Sequence, residues 1–197
     1  MADQRPHSRL DPETRRRLLV EAATAVLRGR DPSDVAIEEV ASAGGVSRAL
    51  VYAYFGDRGG LLAAVYLHNL ERLDREVGRA LDAQLPDELR LRRLVRRYLL
   101  FARDNRESWD LMVATGAIQH PAIQAARRAR IERIASSWPA EPSARLIAHS
   151  VVGLLEAGTQ DWIDHRDCGL ERATNVLLAM LWEGLAGLGG RGILTAS

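Results

Sequence analysis

Apolar residues recur at three- and four-residue spacing along almost the whole chain, and each run is cut by glycine or proline. That rhythm is the signature of amphipathic helices, and it excludes the strict alternation of half-buried strands. Leu18, Leu19, Ala22, Ala23, Val26 and Leu27 form the first run, opened by Asp11 as N-cap with Pro12 at the first helical position and ended by the Gly29 to Ser33 cluster. Ile37, Val40 and Ala41 mark a short second helix, which Gly44-Gly45 breaks. Ser47 then offers a hydroxyl cap to a third, RALVYAYF, whose buried face is Val51 and Phe55, with Val46 packed just ahead of the cap. From Arg58, the spacing of Leu62, Tyr66, Asn69, Leu70, Leu73, Val77 and Leu81 predicts a long fourth helix running to the Pro86 region. Further helical patterns follow at roughly 88 to 104, 106 to 115, 121 to 137, 143 to 164 and 169 to 188, and Gly187 to Ser197 reads as a loose tail. The fold class expected is all-α.

Composition agrees: alanine and leucine dominate the apolar set, and aromatics are only 5% of the 197 residues. At 47% hydrophobic and 27% charged, the chain is far from a disordered profile and large enough to fold without covalent staples. The single cysteine, Cys168, forms no internal disulfide and supports no cysteine-based zinc site. The polar start MADQRPHSRLDPETRRR lacks an apolar signal core, and the most apolar stretch, VLLAMLW at 176 to 182, is stopped by Glu183. A cytoplasmic protein without membrane contact is expected. Net charge is +1, and all 27 basic residues are arginine, the side chain suited to bidentate phosphate and carboxylate contacts.

Two short helices around a glycine turn, with a serine cap on the second, match a DNA-binding helix-turn-helix. The stretch VASAGGVSRALVYAYFGDRGGLL, residues 40 to 62, resembles the N-terminal domain of TetR-family transcriptional regulators at Gly45, Val46, Ser47, Val51, Tyr52, Tyr54, Phe55, Arg58, Leu61 and Leu62. With RRRLLVEAATAVL before it, the resemblance covers roughly residues 11 to 65. It implies a three-helix DNA-binding head at 1–56, with an N-terminal arm at about 1–10, and a long helix four. That helix leads into a helical effector-binding and dimerisation body at 57–197. It further implies a homodimer on a palindromic duplex operator, most simply a repressor released by a small-molecule effector, with no catalysis, cofactor or metal.

Within that resemblance, Arg48 is the candidate base reader, because a guanidinium pairs bidentately with guanine, while Ala49 and Leu50 suit thymine methyls. Ser47, Tyr52, Tyr54 and Arg58 are the candidate phosphate contacts. Ala36 stands where the family often has threonine, which leaves Ser33 or Asp34 to cap helix two; Leu50 and Gly44 are further departures. Residues 1 to 58 hold nine arginines (5, 9, 15, 16, 17, 28, 30, 48, 58) and nine acids (3, 11, 13, 21, 31, 34, 38, 39, 57). The head is therefore formally neutral, and binding requires Glu38 and Glu39 to turn from the duplex, with Arg5 or Arg9 reaching the minor groove.

In the body, one stripe through Val151, Leu155 and Trp162 and another through Leu177, Met180, Leu181 and Leu185 suit a four-helix dimer interface. Trp109, Met112, His120, Trp138, His149, Thr159 and Trp162 combine apolar bodies with polar tips and are the candidate pocket residues. Two other classes compete. A helical enzyme would draw on DWIDHRDC at 161 to 168, where Asp161 and His165 share a helix face, but no second cluster completes a ligand set. An adaptor would use RLRRLVRR at 90 to 97, a segment that reads more simply as a solvated helix face. GLGGRG at 187 to 192 lacks the preceding strand and following helix of a dinucleotide loop.

Overall fold

The structure is a computed structural model that describes residues 11–79, 85–116, 118–137 and 142–187. The N-terminal arm, Leu81, Trp138 and residues 188–197 fall outside these. Among the described residues the regular elements are all helical: α1 (Pro12–Leu27), a 3-10 turn (Pro32–Asp34), α2 (Ile37–Ala43), α3 (Arg48–Phe55) and α4 (Arg58–Gly78). They continue as α5 (Asp87–Asp104), α6 (Arg106–Gly116), α7 (Pro121–Ala135), α8 (Ala144–His165) and α9 (Leu170–Gly187).

Local chemistry explains most boundaries. Asp11 caps α1 by accepting the Thr14 N–H at 2.9 Å, with Pro12 in the first turn. The Ser47 hydroxyl accepts the Leu50 N–H at 3.3 Å, and Asp57 accepts the Gly60 N–H at 2.7 Å to open α4. Helix α2 departs from expectation. Neither Ser33 nor Asp34 caps it, because both sit in the 3-10 turn, where Asp31 accepts the Ser33 N–H at 2.7 Å. Ala36 holds the N-cap position, and the Glu39 carboxylate reaches back to its N–H at 3.1 Å, the half of a capping box that needs no N-cap side chain. Helix α4 spans 21 residues but ends at Gly78, short of the Pro86 region, where Arg79 turns its N–H onto the Arg75 and Val77 carbonyls.

Two large hydrophobic cores result, beside two small clusters on α7, α8 and α9, and α4 belongs to both large ones. The head core joins Val20, Ala23 and Leu27 of α1, Ile37 and Val40 of α2, Val51 of α3 and Leu61, Leu62, Ala64 and Val65 of α4. It therefore continues past residue 56. The body core takes Ala63, Tyr66, Leu70 and Leu73 from α4 and packs them against α5, α6, α8 and α9 through Val95, Leu99, Trp109, Leu155, Leu177 and Leu181. Val65 and Leu73 are each 0% exposed, and burying side chains of this size stabilises a fold by roughly 2 kcal/mol apiece. Body residues Leu111 and Ile118 also reach the head core, so the junction is packed on both sides of α4.

The α3–α4 corner is the tightest point. Gly56 turns it with φ of 77°, and a Cβ on Gly60 would overlap the Phe55 carbonyl, a backbone group that cannot move aside. A Cβ on Gly59 would meet side chains alone, the His120 ring at 2.9 Å and the Asp57 carboxylate at 3.2 Å. Gly60→Ala is expected to cost about 1–3 kcal/mol in urea unfolding, whereas Gly59→Ala costs less because an imidazole can swing away.

Candidate nucleic-acid interface

Helix α3 presents one face outward. Val51 is 0% exposed and Phe55 is half-buried, which anchors the inner side. Ser47, Arg48, Ala49, Tyr52 and Ala53 are exposed on the other, with Leu50 and Tyr54 half-buried at its margin. Gly45, at φ of 62°, sets the turn that brings α3 across α2.

Arg48 is not free. Its Nη1 lies 2.5 Å from Glu38 on α2, its Nη2 donates to the Tyr52 hydroxyl at 3.3 Å, and the guanidinium sits over the Tyr52 ring at 5.3 Å. The expectation that Glu38 turns away therefore fails: α2 places it beside the candidate base reader. Glu39 does point away, paired with Arg30 at 2.6 Å, and its carboxyl is held below the usual range first by Arg30 and then by the Ala36 N–H. Arg58 is half-buried and donates from Nε to the Val35 carbonyl at 3.1 Å and from Nη2 to the Pro32 carbonyl. It clasps the start of α4 to the 3-10 turn. Tyr54 meets Phe55 ring to ring at 6.3 Å, and Arg16 of α1 covers the Phe55 ring at 5.4 Å.

The body candidates scatter. Trp109 is 0% exposed, donates to Gln160 at 2.7 Å and lies edge-on to Tyr98, so it is a core side chain, as is buried Met112. His120 caps α7 by accepting the Ala122 N–H at 3.2 Å, and Trp162 donates to the Cys168 carbonyl at 2.9 Å. Thr159 is fully buried, with a hydroxyl that has no partner. His149 lines a cavity of about 140 Å³ between α4, α7 and α8, together with Tyr66, Arg127, Arg130 and Glu156. Sequence reading missed Arg130. The available signal was an arginine seven residues after buried Ile123, on the apolar side of α7.

Four of the seven dimer candidates require correction. Leu155, Leu177, Leu181 and Leu185 are buried within the protomer, and Val151 and Trp162 pack against the same cores, because these stripes face α5 and each other. Met180 alone among the seven is exposed, at 57%. Leu146 at 69% and Val176 at 41% share that openness. The arginine run on α5 is a solvated face in part: Arg93, Arg96 and Arg97 are exposed, while Arg90 is buried beside Asp87, and Arg92 and Arg96 hold Glu171 of α9 at 3.2 and 3.0 Å. In the acidic segment near Cys168, Asp164 is taken by Arg106 at 2.5 Å. Among the described residues, no three His, Cys, Asp or Glu side chains converge on a metal site, and no helix is long and apolar enough to cross a membrane.

A three-helix head that exposes α3, set on a helical body through a shared α4, defines a helix-turn-helix regulator. The family profile described as "Bacterial regulatory proteins, tetR family" matches residues 19–65, and "Tetracyclin repressor-like, C-terminal domain" matches residues 88–184. The chain belongs to the TetR family of DNA-binding transcriptional regulators. It is similar to the HTH-type transcriptional regulator BetI of Brucella canis, at 36% identity over 84 residues, a match that covers 42% of either chain. A solved TetR-like regulator from Rhodococcus sp. RHA1 is 27% identical, with a TM-score of 0.66 over 91% of this chain and 100% of that one. A TetR-family regulator from Streptomyces coelicolor is 26% identical, with a TM-score of 0.69 over 93% and 87%.

Two substitutions separate the roles of the charged groups. Glu38→Gln removes the acid that competes for Arg48 and is expected to tighten DNA binding and to steepen the salt dependence by about one ion. Arg58→Ala is expected to lower stability by about 2 kcal/mol in urea unfolding, since two carbonyls lose a charged donor.

Proposed function

We propose that the protein is a homodimeric repressor that reads a palindromic operator through α3 and is released when a small molecule occupies the body. The observation that carries this reading is the outward face of α3, where Arg48, Ala49 and Tyr52 are exposed over a buried Val51. In the major groove, Arg48 would leave Glu38 for a guanine edge, with Ala49 and Leu50 on thymine methyls. Ser47, Tyr52 and Tyr54 would hold phosphates. Arg58 would position that surface through the 3-10 turn and contribute charge to the backbone contact.

The dimer half of the reading is supported by apolar side chains left open on α8 and α9. Leu146, Val176 and Met180 are exposed there, and Gly153 and Ala157 on α8 and Ala179 on α9 are small enough for helices to approach closely. A two-fold axis through that face would present two α3 helices about 35 Å apart, one turn of duplex. Coupling is supported at the junction. Ile118 packs against both cores and the His120 ring abuts Gly59 at the start of α4, so a shift of α7 is felt at the head. Such coupling is typically worth about 1–3 kcal/mol.

Selection of the purified protein on random duplex DNA at about 150 mM salt is expected to enrich a palindrome with half-sites one turn apart. Enrichment of single half-sites, or none at any salt, would exclude the dimeric operator reading. Met180→Glu is expected to convert the dimer to monomer in sedimentation velocity and to cost operator affinity, while the buried α3 anchors remain intact; an unchanged dimer would move the interface elsewhere.

A further inference from the structure

The buried guanidinium of Arg130 is poorly matched by its own protein. Arg130 is 9% exposed, its Nε has no hydrogen-bond partner, and its closest carboxylates, Asp74 and Glu156, each stand 3.5 Å away. Both acids are shared with other cations: Arg133 holds Asp74 at 2.5 Å and Arg127 lies 3.6 Å from Glu156. Beside the guanidinium lies the hydroxyl of Tyr98, a residue 2% exposed, which makes no hydrogen bond of ordinary geometry and has Arg130 as the polar group facing it. Buried polar groups are ordinarily satisfied, and a buried cation with long contacts is destabilising unless something completes its shell.

Arg130 lines the 140 Å³ cavity between α4, α7 and α8. Around it stand Arg127, Arg128 and Arg145 against the carboxylate of Glu156, an excess of positive charge. The wall is apolar at Ile131, Val152 and the Tyr66 ring. A cavity of about 150 Å³ holds a benzene-sized molecule. The planar guanidinium fork fits a carboxylate.

We propose that this cavity binds a small organic carboxylate, its anionic end on Arg130 and Arg127 and its apolar body against Tyr66, Ile131 and Val152. The inference deepens the ligand-released repressor reading, and its consequence for DNA rests on that reading. A ligand carboxylate competes with Asp74 for Arg130, and Asp74 sits on α4, facing the cleft that separates α4 from α1 of the head. Occupancy therefore removes one of the two ion pairs to Asp74 that tie α7 to α4, leaving that of Arg133.

Calorimetry on the full chain with benzoate, benzamide and inorganic phosphate tests the site. Benzoate is expected to bind at least about tenfold more tightly than either of the others. Benzamide equal to benzoate would remove the charge argument, phosphate equal to benzoate would remove the apolar one, and no benzoate binding at millimolar concentration would overturn the site. Arg130→Gln is expected to abolish binding. Because that side chain is buried, the half-exposed Arg127→Gln is the second variant, expected to weaken benzoate with no change in the unfolding midpoint; unchanged benzoate affinity in Arg127→Gln would overturn the assignment. DNA affinity of the ligand-free protein, measured alongside, separates the two claims. DNA binding without benzoate binding sinks the site alone, and benzoate binding without DNA binding sinks the repressor reading alone.

Discussion

Helix α4 buries opposite faces in two cores, with Leu61, Leu62 and Val65 turned to the head and Tyr66, Leu70 and Leu73 to the body. Neither core closes without it. A head of three helices offers little apolar area by itself, and α2 and α3, of 7 and 8 residues, are too short to persist as isolated helices. The position of α3 is therefore set by α4 and by what α4 rests on. Gly56, Gly60 and the Arg58 clasp serve the same end, since they turn the chain sharply from α3 into α4 and tie that corner to the 3-10 turn.

Charge organises the outer half of the molecule in the same economical way. The chain has no lysine, and several of its arginines hold helices together: Arg92 and Arg96 join α5 to α9, Arg106 joins α6 to α8, and Arg130 and Arg133 join α7 to α4. Exposed pairs of this kind add little stability each, but several in one body fix the relative rotation of helices that otherwise slide. Arg48 is the exception in kind. Its partners, Glu38 and Tyr52, lie on the head's open surface, so exchanging them for a base edge costs the fold little.

Sequence alone shows what is local. The Asp11 and Ser47 caps, the inward Val51 and the glycine turn all rest on interactions within a few residues, and the structure has them. What depended on distant partners stayed hidden. Arg58 reads as an exposed phosphate contact until its acceptors, 23 and 26 residues upstream, fold against it, and Glu38 shares a surface with Arg48 only because α3 crosses α2. The apolar stripes of α8 and α9 were legible as stripes, but spacing cannot say whether a stripe closes on its own protomer or on a second copy. Leu155, Leu177 and Leu181 close on their own. Aromatic residues likewise drew attention to Trp109, which the Tyr98 ring and Gln160 satisfy, and away from Arg130, whose buried Nε has no hydrogen-bond partner.

A helix shared by two cores makes head and body one cooperative unit, and two-probe unfolding measures that directly. The four tryptophans, all between residues 109 and 182, report on the body. In a Cys168→Ser background, a fluorophore on Ala53→Cys, exposed on α3, reports on the head. Coincident urea midpoints for the two signals are the expected result. A head signal that melts at clearly lower urea than tryptophan fluorescence would contradict it, and would mean that α3 is carried on a hinge rather than on a common core.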